Sequence, residues 1–196
     1  MAATLEPSNS IVLSPTSLCH VVLRTVPDKF PAMVHFWACA LGARITWKND
    51  FLCFLTYDDE HHRIAILGRT GTAPHPPGEV SNRSGLAHIA FGYDSLSDLL
   101  VAYGQRKTAG ILPVWSVNHG PTTSIYYQDP DGNELETQVD NFETPSEATD
   151  FMNSPQWAEN PIGADIDPDD IWDRLRSGES EASLKMRQPV GRRTKR

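Results

Sequence analysis

Cysteine is scarce in this chain of 196 residues. Cys19, Cys39 and Cys53 are odd in number and show no CxxC spacing, which argues against a disulfide framework or a thiolate metal site and predicts reduced, buried thiols. Long apolar runs are missing. No stretch approaches the ~18 residues that a membrane span needs, and the opening MAATLEPSNS lacks the apolar centre of a secretory leader. The expectation is a cytoplasmic, soluble protein without a membrane partner. Positive charge is also short: the formal net charge is −8, with no basic stripe in the patterned part of the chain, so nucleic acid is not an expected partner.

What is present is pattern, and the pattern occurs twice. Residues 1–15 read as a flexible arm. A first unit, residues 16–70, opens with the strand-like SLCHVVLRT, which carries His20 among apolar neighbours. Pro27 then opens a helix with Phe30, Val34, Trp37 and Leu41 at helical spacing, and Gly42 stops it. Strands follow at 43–48, 51–57 and 62–67. A Gly- and Pro-rich connector, 71–84, leads to a second unit, 85–142, in which the order recurs. GLAHIAFGY carries His88, Ser95 and Asp98 cap a helix with Leu96, Leu99, Leu100 and Tyr103 inward, and strands follow at 112–117, 122–128 and 133–139. Residues 143–178 form an extension with a short helix from Ile171 to Arg176, and 179–196 read as a disordered basic tail.

The segment SIYYQDPDGNELETQVD gives the second unit its chemistry. Asp129-Pro130-Asp131-Gly132 forces a reversal, because Pro presets one torsion, Asp side chains cap nearby amides and Gly accepts positive φ. On the return strand Glu134, Glu136 and Gln138 share one face, opposite Leu135 and Val139. A lone inward histidine is usually a hydrogen-bonded core residue. Two at equivalent points of a duplication, facing an inward glutamate, instead predict a 2-His-1-carboxylate set with open positions for guests.

Those residues carry a family resemblance, extending over roughly Thr16 to Phe142. SLCHVVL, GLAHIAF and YYQDPDGNELE resemble the two histidine strands and the glutamate turn of the vicinal oxygen chelate superfamily, and more narrowly its extradiol ring-cleaving dioxygenases. The resemblance implies an α+β fold of two βαβββ modules whose curved sheets surround a metal site, with His20, His88 and Glu136 as ligands of Fe(II), or of Mn(II) or another divalent ion. EHHRIAIL and NHGPTTSIYY resemble the segments that bring a substrate-side histidine, a further histidine and a tyrosine, which here are His62, His119 and Tyr126. The implied reaction opens the ring of a small aromatic diol with O2, in a homo-oligomer. His35 and His75 are read as structural or exposed.

Two other activities fit the same fold. A glyoxalase-like lyase, isomerase or thiol transferase would want an extra carboxylate or amide on the first unit's last strand, where Arg63-Ile64-Ala65-Ile66-Leu67 offers none. A metal-free, bleomycin-resistance-like binding protein would need neither histidine.

Overall fold

The computed structural model describes residues 12–74 and 84–193. The duplication is realised in three dimensions. The first unit runs β1 (Val21–Thr25), a short 3-10 turn at Pro27–Lys29, α1 (Phe30–Leu41), β2 (Arg44–Lys48), β3 (Leu52–Thr56) and β4 (Ile64–Gly68). The second runs β5 (His88–Tyr93), α2 (Leu96–Thr108), β6 (Trp115–Asn118), β7 (Thr122–Gln128) and β8 (Glu134–Asp140). Each unit makes one sheet, ordered β1-β4-β3-β2 and β5-β8-β7-β6, with the first and last strands parallel and the others antiparallel. A parallel pair needs a crossover, and the helix between the strands supplies it.

Local chemistry accounts for the element ends. Gly42 at φ 59° closes α1 by donating its N–H to the carbonyls of Ala38 and Cys39, a conformation that costs glycine little. Ser95 caps α2 by accepting from the amide of Asp98. At the β7–β8 turn the carboxylate of Asp129 accepts from the amides of Asp131 and Asn133, both at 2.9 Å, as the turn chemistry of the sequence predicts.

One core joins the units. Phe30, Met33 and Trp37 of α1 and Leu96, Leu99 and Tyr103 of α2 belong to a single buried apolar cluster with Ile64, Ile125 and Leu135 of the sheets. Trp37, 0% exposed, donates from Nε1 to Asp129 Oδ2 at 3.1 Å and meets the edge of Phe91. The buried guanidinium of Arg106 donates to the Ala40 carbonyl at 2.7 Å and lies against the rings of Tyr93 and Tyr127. The helices therefore fix how the sheets sit.

Several expectations shift. Cys53 is buried, but Cys19 and Cys39 are exposed, because one lies ahead of β1 and the other on the outer face of α1. His20 and His62 fall just before β1 and β4 rather than within them. Beyond the second unit the chain continues as α3 (Pro145–Met152), α4 (Pro155–Glu159), β9 (Ala164–Asp165), α5 (Pro168–Arg176) and α6 (Glu181–Leu184). β9 pairs with β6 and adds a fifth strand to the second sheet. The stretch read as tail from residue 179 thus forms α6 and buries Leu184. The expected arm and connector lie largely outside the described residues, as does His75.

Candidate functional site

The second sheet gathers four of the six residues singled out in the sequence. Register places Tyr126 of β7 across from Glu136 of β8, and Glu136 beside Ala90 of β5. His88 lies two residues before Ala90 on the same face. Its Nε2 is 2.9 Å from Glu136 Oε2. Burial opposes ionisation of Glu136, but hydrogen bonds from His88, Ser124 and Tyr126 outweigh it and hold the carboxyl below its ordinary range. Tyr126 Oη is 3.0 Å from His119 Nε2, and His119 Nδ1 is 2.5 Å from the Ile162 carbonyl. Burial lowers the His119 pKa, with the Ile162 carbonyl working against it.

The other two residues stand together on the first sheet. The rings of His20 and His62 lie 4.4 Å apart, and His62 stacks on Phe54 at 4.4 Å and 19°. Burial depresses the His62 pKa, as does the potential positive charge of His20 and His61. Strand alternation would send His61 to the face opposite His62. Its ring is 4.4 Å from that of His62, since neither residue is in a strand and alternation does not apply to them. His35 is on the exposed side of α1, beside Cys39.

The chemistry of the donors bears on a metal. An ionised, buried carboxylate touching an imidazole is the pairing that a divalent ion of borderline hardness takes, so His88 and Glu136 fit two positions of such a site. The third donor is not beside them in one chain. Among the described residues, no three His, Cys, Asp or Glu side chains stand close enough to hold an ion. A cavity of about 360 Å³ between β1 and β5 reaches His20, Tyr57, Arg63 and Phe91, but not His88 or Glu136.

Some neighbours went unnoticed in the sequence. Ser124 shares a strand face with Tyr126, and alternation alone would have pointed to it. Trp115 stacks on Tyr126 at 4.9 Å, a contact implied by the β6–β7 pairing once the hairpin register is known. Ile162 had no signal, because its part is played by a backbone carbonyl.

Comparison with known proteins settles the family. The model of the Glyoxalase/Bleomycin resistance protein/Dioxygenase superfamily matches residues 18–137. The chain belongs to this superfamily. Within it, the chain is 47% identical over 150 residues, 76% of each chain, to Biphenyl-2,3-diol 1,2-dioxygenase 2 of Rhodococcus globerulus. It is 41% identical over 170 residues, 87% of each chain, to Biphenyl-2,3-diol 1,2-dioxygenase 3 of the same organism. A solved glyoxalase/bleomycin resistance protein/dioxygenase domain from Frankia shares the superfamily fold at 19% identity and a TM-score of 0.53, covering 67% of this chain and 96% of that one. The superfamily match ends before α3, so α3 to α6 and β9 lie outside it.

Proposed function

We propose that this protein is an extradiol dioxygenase that opens the ring of a catechol-type diol, of the biphenyl-2,3-diol kind or a relative, using O2 and a divalent metal, Fe(II) in the first instance. The observation that carries the reading is the His88–Glu136 contact, 2.9 Å long, with the Tyr126 hydroxyl beside it, in a chain whose relatives bear the name of that activity. His88, Glu136 and His20 would hold the ion, which would supply the Lewis acidity and the electron-transfer path that O2 chemistry requires.

The chain's own groups do the rest. His62, its pKa lowered mainly by burial, is neutral near pH 7 and ready to take a proton from a diol hydroxyl and return it later. Phe54 stacks on His62 and fixes the plane in which that proton moves. Tyr126 would stand with its hydroxyl beside the bound diol and O2, and His119 orients that hydroxyl.

His20 and His62 reach this cluster from a second copy of the chain. Within one chain α1 packs on the first sheet and its Trp37 is locked to Phe91 and Asp129 of the second unit, so the first sheet cannot swing onto the second without exposing buried core. The apolar side chains around each half are exposed, Leu18, Val22 and Trp47 on one and Leu86 and Val114 on the other, as suits surfaces that a homo-oligomer covers. We read the protein as a cytoplasmic enzyme; no helix among the described residues is long and apolar enough to cross a membrane.

The test is anaerobic loading with Fe(II), addition of 2,3-dihydroxybiphenyl or catechol, and admission of air. A ring-fission chromophore with one O2 consumed per diol is expected. No chromophore with any diol, at full iron loading, would overturn the assignment.

A further inference from the structure

The extension after β8 lies against the His119–Tyr126 pair rather than away from it. Its closest approach is the loop from Asn160 to Gly163. The Asn160 side chain ties that loop, accepting from the amides of Ile162 at 3.1 Å and Gly163 at 2.8 Å and donating to the Gly163 carbonyl at 3.1 Å. The loop is pressed on β6: a Cβ at Gly163, whose φ is +106°, would stand 2.3 Å from the Asn118 carbonyl oxygen and 2.7 Å from His119 Cα. Only glycine permits that approach, and it presents the Ile162 carbonyl to His119 Nδ1.

Arg187, further along, binds the loop to the histidine. One guanidinium nitrogen donates to the His119 carbonyl at 3.0 Å and to the Asn160 carbonyl at 2.7 Å, and the other donates to the Gln156 carbonyl at 3.1 Å. The guanidinium lies over the Phe151 ring, 5.1 Å from its centroid. Nearby, Asn118 donates from its side chain to the Lys185 carbonyl at 2.8 Å. Three carbonyls from different parts of the chain thus converge on one cation, a geometry that lysine's single ammonium does not reproduce.

The consequence for His119 follows from donor and acceptor rules. A carbonyl only accepts, so Nδ1 must carry a hydrogen, and in a neutral ring Nε2 is then bare and competes with the Glu136 carboxylate for the single hydrogen of the Tyr126 hydroxyl. We propose that Arg187 is a positioning residue which, through the Asn160–Gly163 loop, holds His119 in the Nδ1–H tautomer and so sets the direction in which the Tyr126 hydroxyl points. The inference rests on the dioxygenase reading for its effect on turnover, but not for its effect on the tautomer.

The test reads both. Full-length, metal-free protein labelled with ¹⁵N at histidine reports the His119 tautomer directly in a long-range ¹H–¹⁵N spectrum, and the iron-loaded protein gives kcat and KM with 2,3-dihydroxybiphenyl. Wild type is expected to show a single Nδ1–H form. R187M and G163A are expected to show a mixed or reversed tautomer and a kcat lower by on the order of 10-fold with KM little changed, the size that loss of such an orienting partner has elsewhere. R187K, which retains charge, is expected to fall between and remains readable should R187M fail to fold. A single Nδ1–H form persisting in R187M or R187K, or a tautomer that mixes with kcat untouched, overturns the proposal. If wild type cleaves no diol, the functional reading falls, and the spectra still decide whether Arg187 sets the tautomer.

Discussion

Co-production of two single variants, His20→Ala and Glu136→Gln, separates the two ways in which the proposed metal donors can meet. His20 is exposed and Gln is nearly isosteric with Glu, so both changes spare the core. Each variant alone lacks one donor at every site and is expected to be inert. In a twofold pair built as proposed, each site takes a first sheet from one protomer and a second sheet from the other. A mixed pair then holds one site with both halves intact and one with both altered, so about half of its sites work, and random pairing at equal dose leaves about a quarter of all sites working. A site formed within one chain gives no such rescue. The alternative of a moving sheet has a cost: it would expose Trp37, at 0% accessibility, and uncover the Arg106 guanidinium, at 3%, each the anchor of a contact between units. Re-exposing even one large apolar side chain costs roughly 2–3 kcal/mol. The assay is O2 uptake with 2,3-dihydroxybiphenyl by mixed species isolated through two different affinity tags. Mixed pairs as inert as the parents would refute the shared site, and with it the role given to Trp37 of α1 in holding the two sheets in place.

Much of this architecture was readable in the sequence, and the reasons differ by element. The duplicated order of strands and helices was legible because hydrophobic period and turn chemistry agree in both halves, as at Gly42, Ser95 and Asp129. The grouping of Glu136 with Tyr126 and His88 was legible because a hairpin and a parallel neighbour fix register locally. The position of the first sheet relative to the second was not. It depends on where α1 docks, and nothing in the periodicity of that helix says that Trp37 will find Asp129. The extension was least legible of all. Its work at His119 is done by the carbonyls of Ile162 and Asn160, groups that every residue possesses, so composition carries no trace of it. The basic character of residues 186–196 suggested a solvated tail, yet Arg187 is spent on internal carbonyls and Arg193 on Asp165.

Three further outcomes follow from named contacts. His62→Phe is expected to lower kcat while leaving iron content near that of wild type, checked by metal analysis beside O2 uptake, since His62 stacks on Phe54 and is not among the proposed ligands; equal loss of both would refute its role as a proton carrier. Trp37→Ala should cost about 3–5 kcal/mol in denaturant unfolding, because a fully buried indole that also donates to Asp129 is lost; a cost near zero would mean that α1 does not dock as described. The last outcome concerns acid. His119 is depressed in the folded state mainly by burial, so below the ordinary imidazole value of 6.5 the unfolded chain binds a proton that the folded chain resists. Its contribution to stability is therefore complete above that value and is lost as the pH falls from there through the lower folded pKa. His62 is depressed in the same direction, so two histidines act in one window. Thermal unfolding across that window should show the midpoint falling with acid in wild type and falling less in His119→Gln, which keeps a side chain able to meet the Ile162 carbonyl but does not titrate. An equal fall in both would show that the partly buried imidazole is not what couples this fold to protons.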